Sequence, residues 1–520
     1  MTRWTQKEIE YPDFPEVWHD PMLLPDMEEA ISRIVKHVDA GDKIEIYGDK
    51  DADGINAATI LCKALKEIGA DVQAYVPTRA EGFGVQPVHV KKFYNEGVSL
   101  IITVDNGSVA YASMDLAVEL GMDMVITDHH NLSDRPVPFP VVNPKRGNSY
   151  PFPHICGAAI SLKVASALFS HYGFPKDYWE SYVDYASIAT VADVMPLWGE
   201  NRFLVKRGIS KLRKRPSLGY HAIIDGTPYI DQATIDEHSF GFTFGPSINA
   251  PGRVETPDIA LQLLLAEQPE DAIQRWEKVN ECNERKREIM AQIESDDSIQ
   301  PELYDVVWLY TDKIPEGLLG PVASRLTDIH QRPALAACPI DDPASLRMDL
   351  IKGSGRSFGG YPLYDLIARM PEEWFIARGG HDGALGFTLK AEYKALFESA
   401  LELAVVEIKE QEILYGRELT HADITPAFLK TIEDGSPYGH EYPAPQFLVK
   451  GISVLRGNSY GKKYYLTGEQ NGVSVKYVVD TPLKKGTVFD AIVTVERVKK
   501  SGEPRCNVVD YRLVGDSNGH

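Results

Sequence analysis

From residue 43 onward, apolar and polar positions follow two alternating rhythms. Short apolar runs at 43–47, 71–76, 100–105 and 124–128 are separated by stretches with helical spacing at 55–68, at 87–94 and up to 120. Strands and helices alternating in this way predict an α/β fold with a doubly wound parallel sheet, whose ligands gather at the carboxyl ends of the strands. Asp49, Asp51 and Asp53, then Asp105, then Asp128-His129-His130 fall at those ends. A further helix is expected at 157–169. Beyond it, Asp193 stands in the otherwise apolar, small-residue stretch 187–196. A buried carboxylate without a partner is costly, so a cation or a hydrogen-bonding shell is expected there.

The same patterning divides the rest of the chain. Residues 1–40 are rich in proline and acid, turn helical at 27–38 and read as an amino-terminal cover. The catalytic domain is expected at 41–260. A solvated helical connector, dense in Leu, Ala, Glu, Arg and Lys from 256, is assigned to 261–300. A strand at 305–310 opens a second α/β domain at 301–440, which ends in a helix at 391–412. Alternating runs at 447–455, 463–466, 473–479, 488–498 and 507–513 predict a five-stranded, OB-like barrel over 441–520.

Composition narrows the chemistry. At 520 residues, with 43% hydrophobic and 25% charged positions, the chain has the make-up of a multi-domain globular protein. No apolar run approaches the roughly 20 residues of a membrane span, and the first residues lack the apolar core of a secretion signal, so a cytoplasmic protein is expected. The cysteines Cys62, Cys156, Cys282, Cys338 and Cys506 are odd in number and widely spaced, which suggests neither a disulfide framework nor a zinc site. A net charge of −21 argues against a general polyanion binder. Residues 441–520 nevertheless carry 12 Lys/Arg against 8 Asp/Glu, a balance of +4, while the remainder carries −25. Lys462, Lys463, Lys484, Lys485, Arg497, Lys499 and Lys500 are the candidate nucleic-acid contacts, with Tyr460, Tyr464 and Tyr465 as stacking surfaces.

The stretch 47–55, Tyr-Gly-Asp-Lys-Asp-Ala-Asp-Gly-Ile, also fits the first positions of a calcium-binding helix-loop-helix. Ile60 falls where that loop needs a bidentate Glu, and the preceding segment reads as a strand, so the calcium hand is rejected. An acidic turn is the plainer alternative. Hard oxygen ligands with one or two imidazoles suit Mg²⁺ or Mn²⁺, and paired ions serve phosphoryl chemistry. Lys352-Gly-Ser-Gly-Arg-Ser357 offers a cation, hydroxyls and amides that suit a phosphate cradle, with a glycine-rich hairpin turn as the alternative.

Taken together, Gly48-Asp-Lys-Asp-Ala-Asp-Gly54, Val104-Asp-Asn-Gly107, Thr127-Asp-His-His130 and Thr190-Val-Ala-Asp-Val-Met-Pro196 resemble, in order and spacing, the four motifs of the DHH phosphoesterases. Tyr150-Pro-Phe152, Gly199-Glu-Asn-Arg202 and Gly245-Pro-Ser-Ile-Asn-Ala-Pro-Gly-Arg253 resemble the RecJ-type single-strand exonucleases within that superfamily. Gly379-Gly-His-Asp-Gly-Ala-Leu-Gly386 resembles the motif by which a DHHA1-type second lobe presents a histidine and a glycine-rich helix start to phosphate. The resemblance implies two ions: one held by Asp51 and Asp105 with help from Asp49, the other by Asp53, Asp105, His129 and Asp193, so that Asp105 bridges them. It implies catalytic roles for Asp105, His129 and His130, with His130 facing the scissile phosphate. Asn249, Arg253, Ser354, Arg356, Ser357, Gly380 and His381 would bind substrate. The implied activity is metal-dependent removal of mononucleotides from the 5′ end of single-stranded DNA by a monomer, with a single-strand-binding protein or a helicase as candidate partners. A phosphodiesterase for short oligonucleotides or cyclic dinucleotides, and a non-catalytic replication scaffold, are the alternatives. Two departures from the pattern stand out: Tyr47 replaces a histidine found in small-substrate relatives, and Asp382 replaces a small residue.

Overall fold

The computed structural model describes residues 2–514 except 134, 148, 343–346, 382, 407–411, 461–462 and 499–500, and leaves the side chains of 341–348 and 381 aside. Lys462, Lys499, Lys500, Asp382 and the His381 side chain therefore lie outside the described residues.

Ile44–Tyr47 and Leu100–Val104 are buried at every position, as befits strands covered on both faces. They form the centre of a five-stranded parallel sheet in the order Val72–Tyr75, Ile44–Tyr47, Leu100–Val104, Asp123–Thr127, Val141–Val142. The chain runs to one side of Ile44–Tyr47 and then crosses back to the other, so the switch in strand order lies between the carboxyl ends of Ile44–Tyr47 and Leu100–Val104. The acids of 49–53 and Asp105 leave from those two ends. The helix Ala52–Glu67 is buried for most of its length and joins Gly157–His171, Val183–Ala192, Gly199–Lys214 and Asp258–Leu265 in one apolar core. Asp258–Leu265 thus belongs to the first lobe, because Leu261, Leu263 and Leu264 are fully covered. Only Pro269–Ser295 acts as the connector, and it too is packed at both ends. Ala272, Trp276 and Val279 face the first core, while Ile289, Met290 and Ile293 pack against the second lobe.

That second lobe is a six-stranded mixed sheet in the order Phe375–His381, Ala384–Lys390, Arg347–Arg356, Ala334–Asp342, Val307–Tyr310, Glu302–Leu303. The helix Leu319–His330 covers one face, and Leu363–Ala368 with Lys394–Glu402 covers the other. Two expectations are corrected here. Residues 352–356 are the carboxyl half of the strand Arg347–Arg356, paired on both sides, so the segment is neither an open cradle nor a hairpin turn. Its glycines make room for neighbours: a Cβ on Gly353 would lie 2.0 Å from the Phe387 ring, and one on Gly355 2.6 Å from Leu335. Residues 379–381 pair antiparallel with 384–386 as two strands rather than opening a helix. Of the helix expected over 391–412, the described residues show an α-helix over Lys394–Glu402, and Glu412–Tyr415 is a strand that pairs with Arg3–Gln6.

At the carboxyl end, Phe447–Tyr460, Lys463–Gln470, Val473–Val479, Pro504–Leu513 and Val488–Arg497 close into a barrel through the pairing of the last with the first. Its core takes in Leu419, Ile424 and Leu429, because Arg417–Leu419 adds to Phe447–Tyr460 and the helix Pro426–Asp434 covers one opening. The barrel unit therefore begins well before 441. All five cysteines are free and buried. No described helix is long and apolar enough to cross a membrane.

The amino-terminal cover fastens these parts together. Trp18 stacks on Trp179 at 4.3 Å, and Tyr11 on Tyr442 at 4.1 Å. Beneath it, Lys163 and Glu200 form a fully buried ion pair at 2.6 Å. Glu200 also accepts hydrogen bonds from the Tyr150 hydroxyl and the His19 amide. Removing one member of such a pair strands the other charge, at a cost of about 3–5 kcal/mol, whereas an apolar replacement of both is close to neutral. Glu200→Leu is accordingly expected to lower the urea midpoint steeply, and Glu200→Leu/Lys163→Met to recover most of the loss. Equal midpoints for the single variant and the parent would show that the pair has no such role.

Candidate metal and phosphate site

Each acid at the sheet edge is set in place by backbone. Asp51 caps the helix Ala52–Glu67, accepting from the amides of Asp53 at 2.9 Å and Gly54 at 3.2 Å. Asp53 accepts from the amides of Gly157 at 2.7 Å and Ala158 at 2.8 Å, at the start of Gly157–His171, where the helix dipole favours an anion. Gly54 is required because a Cβ would meet the Asp49 backbone at 2.4 Å, and Gly157 because one would lie 2.5 Å from the Asp105 side chain. Asp105 has a left-handed φ of 61°, a strained setting for a residue with a side chain, which fits a functional site. Asp193 ends the helix Val183–Ala192 as its C-cap.

The result is a crowd of carboxylates around one imidazole. His129 Nε2 lies 3.1 Å from Asp105 Oδ1, 3.7 Å from Asp193 Oδ2 and 3.8 Å from Asp53 Oδ2. Three overlapping trios bring their donor atoms within 4.8 Å of one another: Asp49, Asp51 and Asp105; Asp53, His129 and Asp193; and Asp105, His129 and His130. Asp105 is common to two of them. Burial and the neighbouring acids push Asp51 up to about 6 and Asp193 up to about 9, and raise Asp105 well above the carboxylate range. Burial likewise depresses His129, which is held neutral as a ligand must be. Asp105 Oδ1 and Asp193 Oδ2 are buried without a hydrogen-bond partner. Carboxyl oxygens with no partner among the described residues, beside an imidazole, form the donor set that a hard divalent cation fits once it displaces their protons.

Asp128 has a different task. It accepts from the amides of Ser108, His129 and His130 and from His130 Nδ1 at 2.8 Å. Burial works against its charge, yet these bonds hold it at about 2. A carboxylate can only accept, so the Nδ1 of His130 carries the proton and the other ring nitrogen is left available. Burial disfavours the imidazolium of His130, but Asp128 outweighs this and raises it. Tyr47 turns away from this cluster into the apolar core beneath, with its hydroxyl on Gly84 O and His89.

Cations gather beside the acids where the lobes meet, Arg79 and Arg253 from the first lobe and Arg356 from the second. Arg253 donates to Gly317 O at 3.1 Å, and Arg79, from the loop after Val72–Tyr75, donates to Gly252 O at 2.8 Å. Burial and the charges of Arg79 and Arg356 depress Arg253 to about 10, opposed by Asp51. A Cβ on Gly320 would stand 3.1 Å from Arg356 Nη2, and one on Gly317 2.1 Å from Arg253 O, so these glycines let the arginines in. Ser354 lies 3.4 Å from Arg356 Nη1 in the same cluster. Other expected contacts are occupied elsewhere. Asn249 accepts from the Ala52 amide at 2.8 Å and so positions the acidic loop. Ser357 donates to Tyr361 O, and Gly380 is a strand residue closely backed by Ala384 O. Arg79 was not singled out in the sequence because a lone loop arginine belongs to no motif. Phe83, 53% exposed, presents its edge to His130 at 5.7 Å and offers an aromatic surface beside the acids.

On the barrel, Lys463 pairs with Asp480, and Arg497 forms a fork with Glu433 at 2.5 and 2.6 Å, while Lys484 and Lys485 are exposed. Strand register also aligns Arg456, Thr467, Lys476 and Arg505 in one row across four strands, in which Lys476 pairs with Glu503 and Arg505 with Glu496. Tyr465 occupies the adjoining row, with Arg505 5.8 Å over its ring, and Tyr460 at the hairpin end is 81% exposed. Only knowledge of the register reveals this face.

The DHH family, N-terminal domain, matches residues 43–192. The single-stranded-DNA-specific exonuclease RecJ of Bacillus subtilis is 30% identical over 507 residues, covering 94% of this chain and 62% of that protein, so the chain spans less than two thirds of this relative. The crystal structure of Thermus thermophilus RecJ in complex with Mn²⁺ shares the fold, with a TM-score of 0.82 and 24% identity over 98% of this chain and 79% of that one. A manganese-bound exonuclease RecJ superimposes with a TM-score of 0.61 and 28% identity over 73% of this chain and 94% of its own. With three acidic motifs at the ends of the parallel strands and Asp193 brought to them by a helix end, the chain contains a DHH family N-terminal domain over residues 43–192 and is similar along most of its length to the RecJ exonucleases.

Proposed function

We propose that this protein is a two-metal phosphodiesterase that removes nucleotides from the 5′ end of single-stranded DNA. The observation that carries the proposal is the cluster of five mutually repelling carboxylates, two of them with oxygens lacking a hydrogen-bond partner among the described residues, beside an arginine cluster drawn from both lobes. Asp49, Asp51 and Asp105 would hold one ion, and Asp53, Asp105, His129 and Asp193 the other. Manganese or magnesium, when bound, supplies Lewis-acid charge at the scissile phosphate and lowers the pKa of water. The chain's own groups do the rest. Asp128 fixes the His130 ring toward the reacting phosphate, and Arg79, Arg253, Arg356 and Ser354 anchor the terminal phosphate. The Arg456, Lys476, Arg505 and Tyr465 face, with Tyr460, carries the strand beyond. The names of the Bacillus relative and the manganese-bound neighbour support both substrate and metal. The barrel face disfavours a cyclic-dinucleotide enzyme, which has no strand to hold, and the intact acidic set disfavours a scaffold. The protein would act as a cytoplasmic monomer, on single strands delivered by a helicase or a single-strand-binding protein.

Three outcomes are expected. Asp105→Asn should reduce hydrolysis of a labelled single strand by at least about a hundredfold while leaving the melting profile of the metal-free protein close to the parent. Normal turnover in that variant, or in excess chelator, would refute the two-metal assignment. Arg253→Gln and Arg356→Gln should raise KM about tenfold or more, as when a charge-assisted hydrogen bond is lost, with Mn²⁺ titration unchanged. Weakened Mn²⁺ binding would place these arginines in the wrong role. Arg505→Gln/Tyr465→Ala, built on Asp105→Asn, should weaken a 20-nucleotide strand by about 1–3 kcal/mol in anisotropy titrations. Unchanged affinity would move the strand's path off this face.

A further inference from the structure

The loop after Val141–Val142 carries two adjacent cations in different surroundings. Arg146 is turned back toward the amino-terminal region, where it pairs with Asp26, itself the acceptor for the Val141 amide. Lys145 has no carboxylate partner among the described residues; its amine lies 3.4 Å from Asn131 Oδ1. This lysine is not on a loose surface loop. Asn143, fully buried, accepts from the Lys145 amide at 2.9 Å and donates to His130 O at 3.0 Å and Ser108 Oγ at 3.3 Å. One carboxamide therefore stitches the Lys145 loop to the backbone of His130 and to the turn that follows Asp105. The arginines stand on another side of the same cluster, where Arg253 senses Asp51.

The acidic pocket thus has the arginines on one side and, on another, Lys145 on the loop that Asn143 ties to His130 and to the turn after Asp105. An ordinary surface lysine needs no buried asparagine to fix its backbone, and a lysine meant to neutralise the acids would pair with one of them. An exposed, unpaired ammonium held at the pocket's rim suits an anion that arrives with the substrate.

We propose that Lys145 is a further substrate-contacting residue, holding the phosphate between the second and third nucleotides while the arginines hold the terminal phosphate and the acidic cluster the scissile one. This rests on the exonuclease reading above and adds a third phosphate subsite to it.

A 5′-phosphorylated dinucleotide contains the terminal and scissile phosphates but lacks the third, which a phosphorylated trinucleotide has. With Mn²⁺ present, Lys145→Met should lower kcat/KM on the trinucleotide about tenfold or more, as expected for loss of one charged phosphate contact. Turnover of the dinucleotide should be unchanged, and Lys145→Arg should recover most of the activity on the trinucleotide. The log–log salt slope for binding a 12-nucleotide strand to the Asp105→Asn background should fall by about 0.7 with Lys145→Met. Calorimetric Mn²⁺ titration should match the parent. Unchanged turnover of the trinucleotide, an equal loss on both substrates, or weakened Mn²⁺ binding would each overturn the assignment. Failure of the unsubstituted protein to cleave either substrate would instead refute the exonuclease reading.

Discussion

Repulsion among carboxylates that share one buried sheet edge is the constraint on which the rest of this structure depends. Asp49, Asp51, Asp53, Asp105 and Asp193 are delivered from separate elements to a space with donor atoms within 4.8 Å in overlapping sets. At such distances, and away from bulk water, like charges cost several kcal/mol each unless something opposes them. Part of the opposition comes from the fold. Helix amides take up Asp51 and Asp53, and four donors take up Asp128. What remains, at Asp105 and Asp193, is left for protons or cations, and the upward shifts of both carboxyls express that debt. A site of this kind is stable only with a counter-charge and is therefore built around binding one.

The surrounding architecture follows from the same electrostatics. A chain of net charge −21 repels polyanions at a distance, so every contact with a phosphate backbone has to be made locally. The arginines reach the cleft because Gly317 and Gly320 leave room for them, and their own mutual repulsion awaits an anion just as the acids await cations. Pro269–Ser295 is packed against both lobes and links the one that carries Arg79 and Arg253 to the one that carries Arg356. The amino-terminal segment pairs with the strand Glu412–Tyr415, which precedes the barrel, and stacks on Tyr442, and so links both to the first lobe that it covers.

The parallel sheet and its acids could be read from the chain, because burial on both faces leaves continuous apolar runs and the functional residues of such sheets must sit where those runs end. The five barrel strands were legible for a similar reason. Tertiary partners hid the rest. Gly353 and Gly355 suggest a phosphate loop until Phe387 and Leu335 show what each hydrogen atom is making room for. Asn249 sits in a motif yet serves the Ala52 amide, nearly two hundred positions away in the chain. Lys463 and Arg497 looked free because Asp480 and Glu433 come from other elements, while Arg456, Lys476 and Arg505 gain meaning only through register. The barrel boundary was set too late at 441 because Leu419 and Leu429 lie in short segments whose pattern does not reveal which core they join.

The most direct test of the account is to count the ions and ask whether they share a ligand. Calorimetric titration of the metal-free chain with Mn²⁺, followed by electron paramagnetic resonance of the saturated protein, reads both. The structure predicts two ions per chain with the spin-coupled spectrum of a pair bridged through Asp105. A single ion per chain, or two ions with the spectrum of isolated Mn²⁺, would contradict it.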